Sequence, residues 1–448
     1  MRFPELIAKV ASGKGRRLDV VLGAGIRPDL PDGRYLHWDR LRHRTPPANL
    51  SPEEWWLGAK LARNAISKDL PFQDVRGRAF RFSVPDSVLE RLHRIDRDAA
   101  GQIQTHAEVV SSEGRERYVL SSLVEEAITS SQLEGAATTR QVAKDMIRDG
   151  RKPRDRDERM IFNNYAAMSR IREIKDRPLS LELIFELHRV LTAETLDEPD
   201  AAGRFRAAHE DIHVFDEISH RKLHTPPPAE QLPERLRTLC DFANTEPKQG
   251  EFVHPVLRAI LLHLMLAYDH PFVDGNGRTA RALFYWAMAR QGYWLMEYVS
   301  ISSILRKKPA QYGLSFLYTE TDDNDATYFI DHQLRVICEA IDNVLAWLER
   351  KQAEMQDADA LLCASGPLAD HLNHRQRALL VHAFKHPGYI YGIQGHRRSH
   401  GVTYETARTD LLELDRLGFM NKRKRGRAWV FQASRDLMDR IERSVKRR

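Results

Sequence analysis

Apolar residues recur every three or four positions over much of the chain, and this spacing predicts amphipathic helices as its main elements. The pattern is densest between residues 101 and 350, where few segments alternate as strands do. The exception is Ile212 to Thr225, which alternates around a polar turn and is followed by prolines, so it predicts a β-hairpin among helices. We therefore expect a mainly α fold with one inserted hairpin.

The first hundred residues contain one clearly marked helix start. Ser51 is a predicted N-cap, Pro52 occupies the first turn, and Glu54 completes a capping box before Trp55 and Trp56. This stretch suggests no chemistry of its own, and packing against the helical part of the chain is its expected role.

The C-terminal segment, residues 373–448, predicts a winged helix-turn-helix. One helix runs from Gln376 to Phe384, a second is capped by Thr403, and a basic hairpin tip follows at residues 421–427. The segment holds 18 Lys and Arg against 7 Asp and Glu, a net charge of +11, whereas the preceding 372 residues carry 51 and 56, a net charge of −5. A positive field confined to this segment favours DNA as its partner, with the Thr403 helix in the major groove and the wing on phosphates.

Four regions follow from these patterns. We expect an N-terminal region at 1–100, a helical domain at 101–350, a connector at 351–372 and the winged helix domain with its basic tail at 373–448.

Composition places the chain among globular proteins, because hydrophobic residues make up 42% and charged residues 29%. No apolar run approaches the roughly 20 residues that span a bilayer, so no membrane association is expected. Glu5 and Lys9 argue against a signal peptide. The three cysteines stand far apart, which is typical of a reduced, cytoplasmic protein.

Candidate chemistry is concentrated in residues 270–281, His-Pro-Phe-Val-Asp-Gly-Asn-Gly-Arg-Thr-Ala-Arg, between two apolar helices. Gly275 and Gly277 allow backbone N–H groups to converge on an anion, and the following helix adds its positive end. Arg278 and Arg281 lie on one helix face and can reach one phosphate chain.

Two further side chains of this run suit phosphate chemistry. Asp274 is an oxygen ligand suited to Mg²⁺ at phosphates, and His270 can accept a proton from an attacking hydroxyl. The alternative is a capped helix junction with surface arginines, which the combination of all these residues within twelve positions disfavours.

This run resembles the signature of the Fic family, His-x-Phe-x-Asp/Glu-Gly-Asn-Gly-Arg-x-x-Arg, at every specified position. The resemblance implies a helical Fic domain over 101–350 that transfers AMP from ATP to a Ser, Thr or Tyr hydroxyl of a protein. It implies that His270 is the base, that Asp274 holds Mg²⁺, and that Arg281 orients the γ-phosphate. The loop Gly275-Asn276-Gly277, with Arg278, would bind the other phosphates.

Other segments are similar to parts of the same family. The hairpin region 212–226 resembles the flap that docks a protein substrate by main-chain pairing. Tyr312 resembles an aromatic residue near the adenine, although a core tyrosine is an equal alternative. The segment Ser130-Ser131-Gln132-Leu133-Glu134-Gly135 matches the inhibitory pattern Ser/Thr-x-x-x-Glu-Gly at the end of a helix predicted at about 121–135.

The resemblance implies that Glu134 pairs with Arg281 and blocks the productive ATP pose, with Ser130 as a second regulatory residue. The leading hypothesis is thus an autoinhibited protein adenylyltransferase that modifies a partner or itself. One alternative is a Fic-type enzyme that removes AMP or transfers another phosphate-linked group. Another is a DNA-binding transcriptional regulator with a nucleotide-sensing Fic domain. Homodimer formation is a habit of the family and is an expectation on that ground alone.

Overall fold

The computed structural model describes residues 3–11, 18–30, 32–47, 49–100, 112–215, 222–245, 252–363, 372–385, 389–425, 428–434, 436–437 and 440. Helices dominate the described residues, which confirms the predicted mainly α fold. The helices before the hairpin region are Phe3–Ala11 (α1), Leu18–Gly23 (α2), Trp38–Leu41 (α3), Pro52–Ala65 (α4), Asp86–Ile95 (α5), Ser112–Leu133 (α6), Arg140–Asp149 (α7), Arg156–Ile174 (α8) and Leu181–Thr192 (α9).

The helices that follow are Leu232–Asn244 (α10), Pro255–Asp269 (α11), Asn276–Arg290 (α12), Ile301–Leu305 (α13), Pro309–Thr321 (α14), Thr327–Cys363 (α15), His374–Lys385 (α16), Ile393–His400 (α17) and Tyr404–Arg416 (α18). The strands are Ser67–Gln73 (β1), Ala79–Ser83 (β2), Val214–Phe215 (β3), Lys222–His224 (β4), Ile390–Gly392 (β5), Met420–Arg425 (β6) and Ala428–Ala433 (β7).

The chain divides into two compact units. The first unit comprises Met1–Gly101, Leu123–Thr138 and Pro153–Ile341, and the second comprises Gln102–Ser122, Thr139–Lys152 and Asp342–Arg448. The four regions expected from the sequence stay a prediction.

The first unit is built around the pair α11 and α12, with α8 and α9 packed against α12. Both central helices are apolar on almost every side, which is typical of helices buried all round rather than on one stripe. Their buried side chains include Ile260, Leu264, Leu283 and Trp286, each at most 1% exposed. This apolar packing holds the loop between the two helices, residues 270–275, at a defined place.

The N-terminal stretch packs into the same unit through α4. The predicted capping box is present, because Ser51 accepts a hydrogen bond from the Glu54 backbone and Glu54 returns one. The Lys60 ammonium group, 2% exposed, bonds to Asp322 at 2.8 Å, and Arg63 donates to the Tyr328 hydroxyl at 2.8 Å. A buried cation needs such partners, so this stretch is fastened to the helical core, as expected.

Two small antiparallel sheets belong to the first unit. Strands β1 and β2 pair with Ser67 opposite Ser83, and a register shift follows. Strands β3 and β4 pair with Val214 opposite His224, which confirms a hairpin in the predicted region. Residues 216–221 of the predicted flap lie outside the described residues.

The second unit contains a three-stranded antiparallel sheet in the order β5-β7-β6, with Ile390 opposite Gln432 and Met420 opposite Ala433. Helices α16 and α18 enclose its core, whose fully buried members include Leu380, Leu411 and Phe431. Thr403 caps α18 by accepting a bond from the Thr406 backbone. The winged helix expected for this segment stays a prediction.

Among the residues that the structure describes, no helix is both long and apolar enough to cross a bilayer.

Candidate active site

The loop between α11 and α12 has two residues in the left-handed backbone region. His270 ends α11 with φ 45°, and Gly275 precedes α12 with φ 82°. A Cβ atom at Gly275 would lie 2.7 Å from Thr192 Cγ2, so only glycine fits this close approach.

The side chain of Asn276 closes the loop from inside. Its Oδ1 accepts a bond from the Phe272 backbone N–H at 2.9 Å, and its Nδ2 donates to the Phe272 carbonyl at 2.8 Å. The first intrahelical bond of α12 joins the Thr279 N–H to the Gly275 carbonyl at 2.9 Å. The preceding amides of the helix therefore have no intrahelical acceptor and form the positive end at which an anion binds.

His270 has the geometry that a general base requires, and its catalytic role stays a prediction. Its Nδ1 lies 3.2 Å from the Ala267 carbonyl, to which it donates when it carries the proton, and this leaves the lone pair on Nε2. Burial lowers the pKa of His270 to about 4, because a charged ring is poorly solvated there. The ring is therefore neutral at physiological pH and can accept a proton.

Asp274 has the environment of a single carboxylate ligand for a hard cation. Its side chain is 42% exposed, Oδ1 accepts from the Gly275 N–H at 2.5 Å, and Oδ2 lies 3.3 Å from Arg278 and 3.9 Å from Arg156. Magnesium with a nucleotide commonly uses one or two carboxylates plus phosphate oxygens and water. The described residues form no cluster of three or more His, Cys, Asp or Glu, so the site fits Mg²⁺ only together with phosphates.

His188 supports this loop and was not singled out by sequence reasoning. Its Nδ1 accepts a bond from the Gly203 N–H at 2.9 Å, so its Nε2 donates to the Asp274 carbonyl at 2.9 Å. Its ring stacks on Phe272 at 3.7 Å, and burial lowers the pKa of His188 to about 4. A histidine on the apolar helix α9 resembles an ordinary core residue, so the sequence offered no signal for this role.

Arg278 is turned inward in this structure. Its guanidinium group is fully buried, donates to the Leu191 carbonyl at 3.1 Å and approaches Asp274. Its buried Nε has no hydrogen-bond partner. Arg278 thus steadies Asp274, and its predicted contact with phosphate stays a prediction.

Arg281 meets both predicted regulatory residues. Its Nε donates to Ser130 Oγ at 2.9 Å and its terminal nitrogen donates to the Ser130 carbonyl at 3.0 Å. The same terminal nitrogen donates to Glu134 Oε1 at 2.9 Å. The ion pair expected between residues 147 positions apart is therefore present, and the guanidinium group is 2% exposed.

The end of α6 determines where Glu134 lies. The Gly135 N–H bonds to the Gln132 carbonyl at 3.3 Å and the Ala136 N–H bonds to the Ser131 carbonyl at 3.1 Å, with Gly135 at φ 92°. This is the Schellman arrangement, and it confirms the predicted glycine cap. A Cβ atom at Gly277 would lie 2.2 Å from Glu134 Oε1, so the carboxylate sits against the first turn of α12.

A second carboxylate of α6, Glu126, anchors the helix. It is 1% exposed, accepts from the Ser300 hydroxyl at 2.8 Å and from the Ser302 N–H at 3.1 Å, and also bonds to the Ser302 hydroxyl. Burial raises the pKa of Glu126, against the opposing effect of these bonds. Sequence reasoning missed this residue because its partners are more than 170 positions away.

Tyr312 lies near the Arg281 guanidinium group. Its hydroxyl is 2.8 Å from His263 Nε2, and burial raises the pKa of Tyr312 to about 12. Both readings of this residue, an adenine contact and a core tyrosine, agree with that position, and the adenine contact stays a prediction.

Comparisons with known proteins match the part of the chain that contains the loop 270–275. Residues 178–288 match the sequence model of the Fic/DOC family, which confirms the resemblance drawn from residues 270–281. A protein adenylyltransferase Fic of Nematostella vectensis is 34% identical over 119 residues, which is 27% of this chain and 25% of that protein. The protein adenylyltransferase fic-1 of Caenorhabditis elegans is 28% identical over 217 residues, 47% of this chain and 39% of that protein. The chain thus spans between a quarter and two fifths of the length of these two relatives.

Solved structures give weaker similarities. A Fic family protein from Desulfovibrio desulfuricans superposes with a TM-score of 0.47 at 18% identity, covering 78% of this chain and 95% of that one. Fic-1 of C. elegans (residues 134–508) gives a TM-score of 0.47 at 23% identity, covering 68% and 79%.

Proposed function

We propose that this protein, whose residues 178–288 form a Fic/DOC domain, is an autoinhibited adenylyltransferase that moves AMP from ATP to a hydroxyl of a protein, itself included. The observation that carries the proposal is one arrangement: a neutral His270 and an open helix end lie in the same loop, with Arg281 on the helix that follows. The adenylyltransferase relatives support the same reaction.

The reaction follows from where the groups lie. The acceptor hydroxyl gives its proton to His270 Nε2 while its oxygen bonds to the α-phosphorus, and the bond to the departing pyrophosphate breaks. Backbone amides at the start of α12 hold the phosphates, and positioning and charge stabilisation supply most of the acceleration. Asp274 would hold Mg²⁺, which when bound neutralises phosphate charge.

Autoinhibition follows from the place of Glu134. Its carboxylate lies against the positive end of α12 and occupies the Arg281 guanidinium group, where a γ-phosphate would need both. Two anions cannot share this position without strong repulsion. ATP would therefore bind in a productive pose only when the end of α6 moves away.

The test is intact-protein mass spectrometry after incubation with ATP and Mg²⁺. Wild type, Glu134→Gly and His270→Ala are compared. We expect an added AMP mass in Glu134→Gly, less of it in wild type and none in His270→Ala. An added phosphate would assign phosphate transfer instead. Loss of AMP from a labelled protein, faster in wild type than in Glu134→Gly, would assign the removal reaction.

A second activity, DNA binding, is favoured by the second unit. On β6 the side chains of Lys422, Arg423 and Lys424 are exposed, and Lys422 lies 4.3 Å from the ring of the half-exposed Trp429. The hairpin tip at residues 426–427 lies outside the described residues. We infer a winged helix that contacts DNA phosphates through this strand.

Fluorescence anisotropy with duplex DNA tests this inference. Affinity should fall steeply with salt and should fall further in Lys422→Glu/Lys424→Glu. Affinity that is insensitive to salt and to both charge reversals would point to a protein-docking module.

A further inference from the structure

The stem of the hairpin β3–β4 is attached to the end of α11 by one histidine. His224 Nε2 lies 2.7 Å from the Tyr268 carbonyl, and its Nδ1 lies 2.8 Å from Glu320 Oε2. The side chain of His224 is only 9% exposed. The His224 ring thereby connects the hairpin to α14 and to Tyr268, which is two residues before His270.

The two partner atoms of the His224 ring are oxygen atoms, and this limits how many protons the ring nitrogens carry. A carbonyl oxygen cannot donate, and an ionised carboxylate cannot donate either. A neutral imidazole has one N–H only, so one of the two contacts would set lone pair against lone pair. When Glu320 is ionised, both short distances are satisfied only if both ring nitrogens carry hydrogen, so that His224 is an imidazolium paired with Glu320. A protonated Glu320 would instead donate to Nδ1 of a neutral ring, and the measurement of the ring protons separates the two states.

A second side chain ties the residues just after β4 to the same loop. The Arg206 N–H donates to the Pro271 carbonyl at 2.9 Å, and its Nε donates to the His270 carbonyl at 2.9 Å. Its terminal nitrogen also donates to the Pro227 carbonyl, just after β4. Arg206 is 7% exposed. The hairpin stem and the backbone on both sides of His270 thus form one hydrogen-bonded body.

We propose that His224 is a positioning residue that sets the distance between a segment docked on the hairpin and the His270 base, and that beside an ionised Glu320 it does so only while protonated. The proposal rests on the proposed transfer to a protein hydroxyl. Loss of the proton would leave one of the two contacts without a hydrogen. The stem would then loosen, and a 1 Å misplacement of the acceptor is enough to slow transfer about a hundredfold.

Other ionisable groups face His224 and would titrate beside it. Asp269 is bonded to Arg235 at 2.7 Å, and burial raises the pKa of Asp269 to about 6, so its proton must be told apart from that of His224. The groups that face the ring from the packed elements are Glu320 on α14, Tyr268 and Asp269 on α11, and His270 in the loop. Arg235 on α10 and Arg206 lie beside Asp269.

The first experiment measures the proton itself and needs no activity. The full chain is labelled with ¹⁵N-histidine, and the His224 signal is assigned by its loss in His224→Gln. We expect both ring nitrogens of His224 to be protonated at neutral pH. In Glu320→Gln the amide can donate to Nδ1, so His224 should become neutral while the stem stays closed. Asp269→Asn should leave His224 doubly protonated. A neutral His224 in wild type would overturn the proposal.

The second experiment separates docking from chemistry in the Glu134→Gly background. Self-modification by ATP is measured together with release of AMP to water, which needs no docked segment. His224→Gln should lower self-modification by about tenfold to a hundredfold and leave the KM for ATP and AMP release unchanged. Glu320→Gln should retain self-modification, because the amide that replaces the carboxylate donates to Nδ1 and both contacts of the ring survive.

His209→Gln is the matched control, because His209 is an exposed histidine just outside the hairpin region 212–226. It should leave self-modification at the parent level. Equal losses in self-modification and AMP release in His224→Gln would refute the positioning role. If the Glu134→Gly parent transfers no AMP at all, the proposed function fails, and the proton measurement still decides the state of His224.

Discussion

Removal of the Glu134 carboxylate is the most direct test of the proposed autoinhibition of AMP transfer. In Glu134→Gly the bond from Arg281 to Glu134 Oε1, 2.9 Å long, disappears. Arg281 keeps its two bonds to Ser130, so its side chain stays in place. The anion site at the start of α12 is then open beside an aligned guanidinium group.

The magnitude follows from the kind of bond that is lost. A hydrogen bond between charged groups contributes about 1.5–3 kcal/mol, and the Glu134 side chain is 24% exposed, which favours the middle of that range. A closed state favoured by about 2 kcal/mol lowers the open population roughly 30-fold, since 1.4 kcal/mol is a factor of ten. We therefore expect AMP transfer in Glu134→Gly to exceed wild type by roughly 30-fold.

The assay is the initial rate of AMP incorporation at an ATP concentration below KM, followed by intact mass. Gln132→Gly is the matched control, because it introduces the same flexible residue at the same helix end without touching Arg281. Gln132 bonds only to the Thr138 carbonyl among the contacts that the structure gives its side chain. Equal activation by both variants would refute the ion-pair explanation and assign control to the stability of the end of α6.

Three further predictions concern other parts of the same unit. Gly277→Ala should lower the free energy of unfolding by about 1–2 kcal/mol, since the added Cβ atom would lie 2.2 Å from Glu134 Oε1. Thermal melting measures this loss, and the loss should be absent when Gly277→Ala is combined with Glu134→Gly. Transfer by Glu134→Gly should stay level as the pH is lowered from neutrality to about 5, because burial lowers the pKa of His270 to about 4; a rate that halves near pH 6.5, the ordinary histidine value, would contradict this. Lys60→Ala should cost about 3 kcal/mol in denaturant unfolding, because it leaves the buried Asp322 without its cation, and a loss no larger than that of the exposed Lys68→Ala would argue against a fastening role.

Much of the site could be predicted because its signals are local. The run from His270 to Arg281 is contiguous, so the candidate base, the candidate acidic ligand, the glycines and the arginines could be singled out together. The capping box at Ser51 and the glycine cap at Gly135 obey rules that span only a few residues, and both are present. Even the pairing of Glu134 with Arg281 was expected, because two local motifs each carried the family resemblance.

The supporting contacts could not be predicted from the sequence. His188 meets Asp274 across 86 positions, Glu126 meets Ser300 across 174, and His224 meets Glu320 across 96. Each of these is a single polar side chain on an otherwise ordinary element, and its role exists only through a distant partner.

The sequence by itself determined the helices and the hairpin and indicated the candidate chemistry of residues 270–281, because periodicity, capping and turn preferences act over a few residues. Tertiary structure alone decided which groups are charged and where they point. Burial makes His270 and His188 neutral, and packing places His224 between two oxygen atoms, those of Glu320 and of the Tyr268 carbonyl. The physical reason is that desolvation and hydrogen-bond geometry depend on every element that surrounds a group, and packing brings those elements together from across the chain.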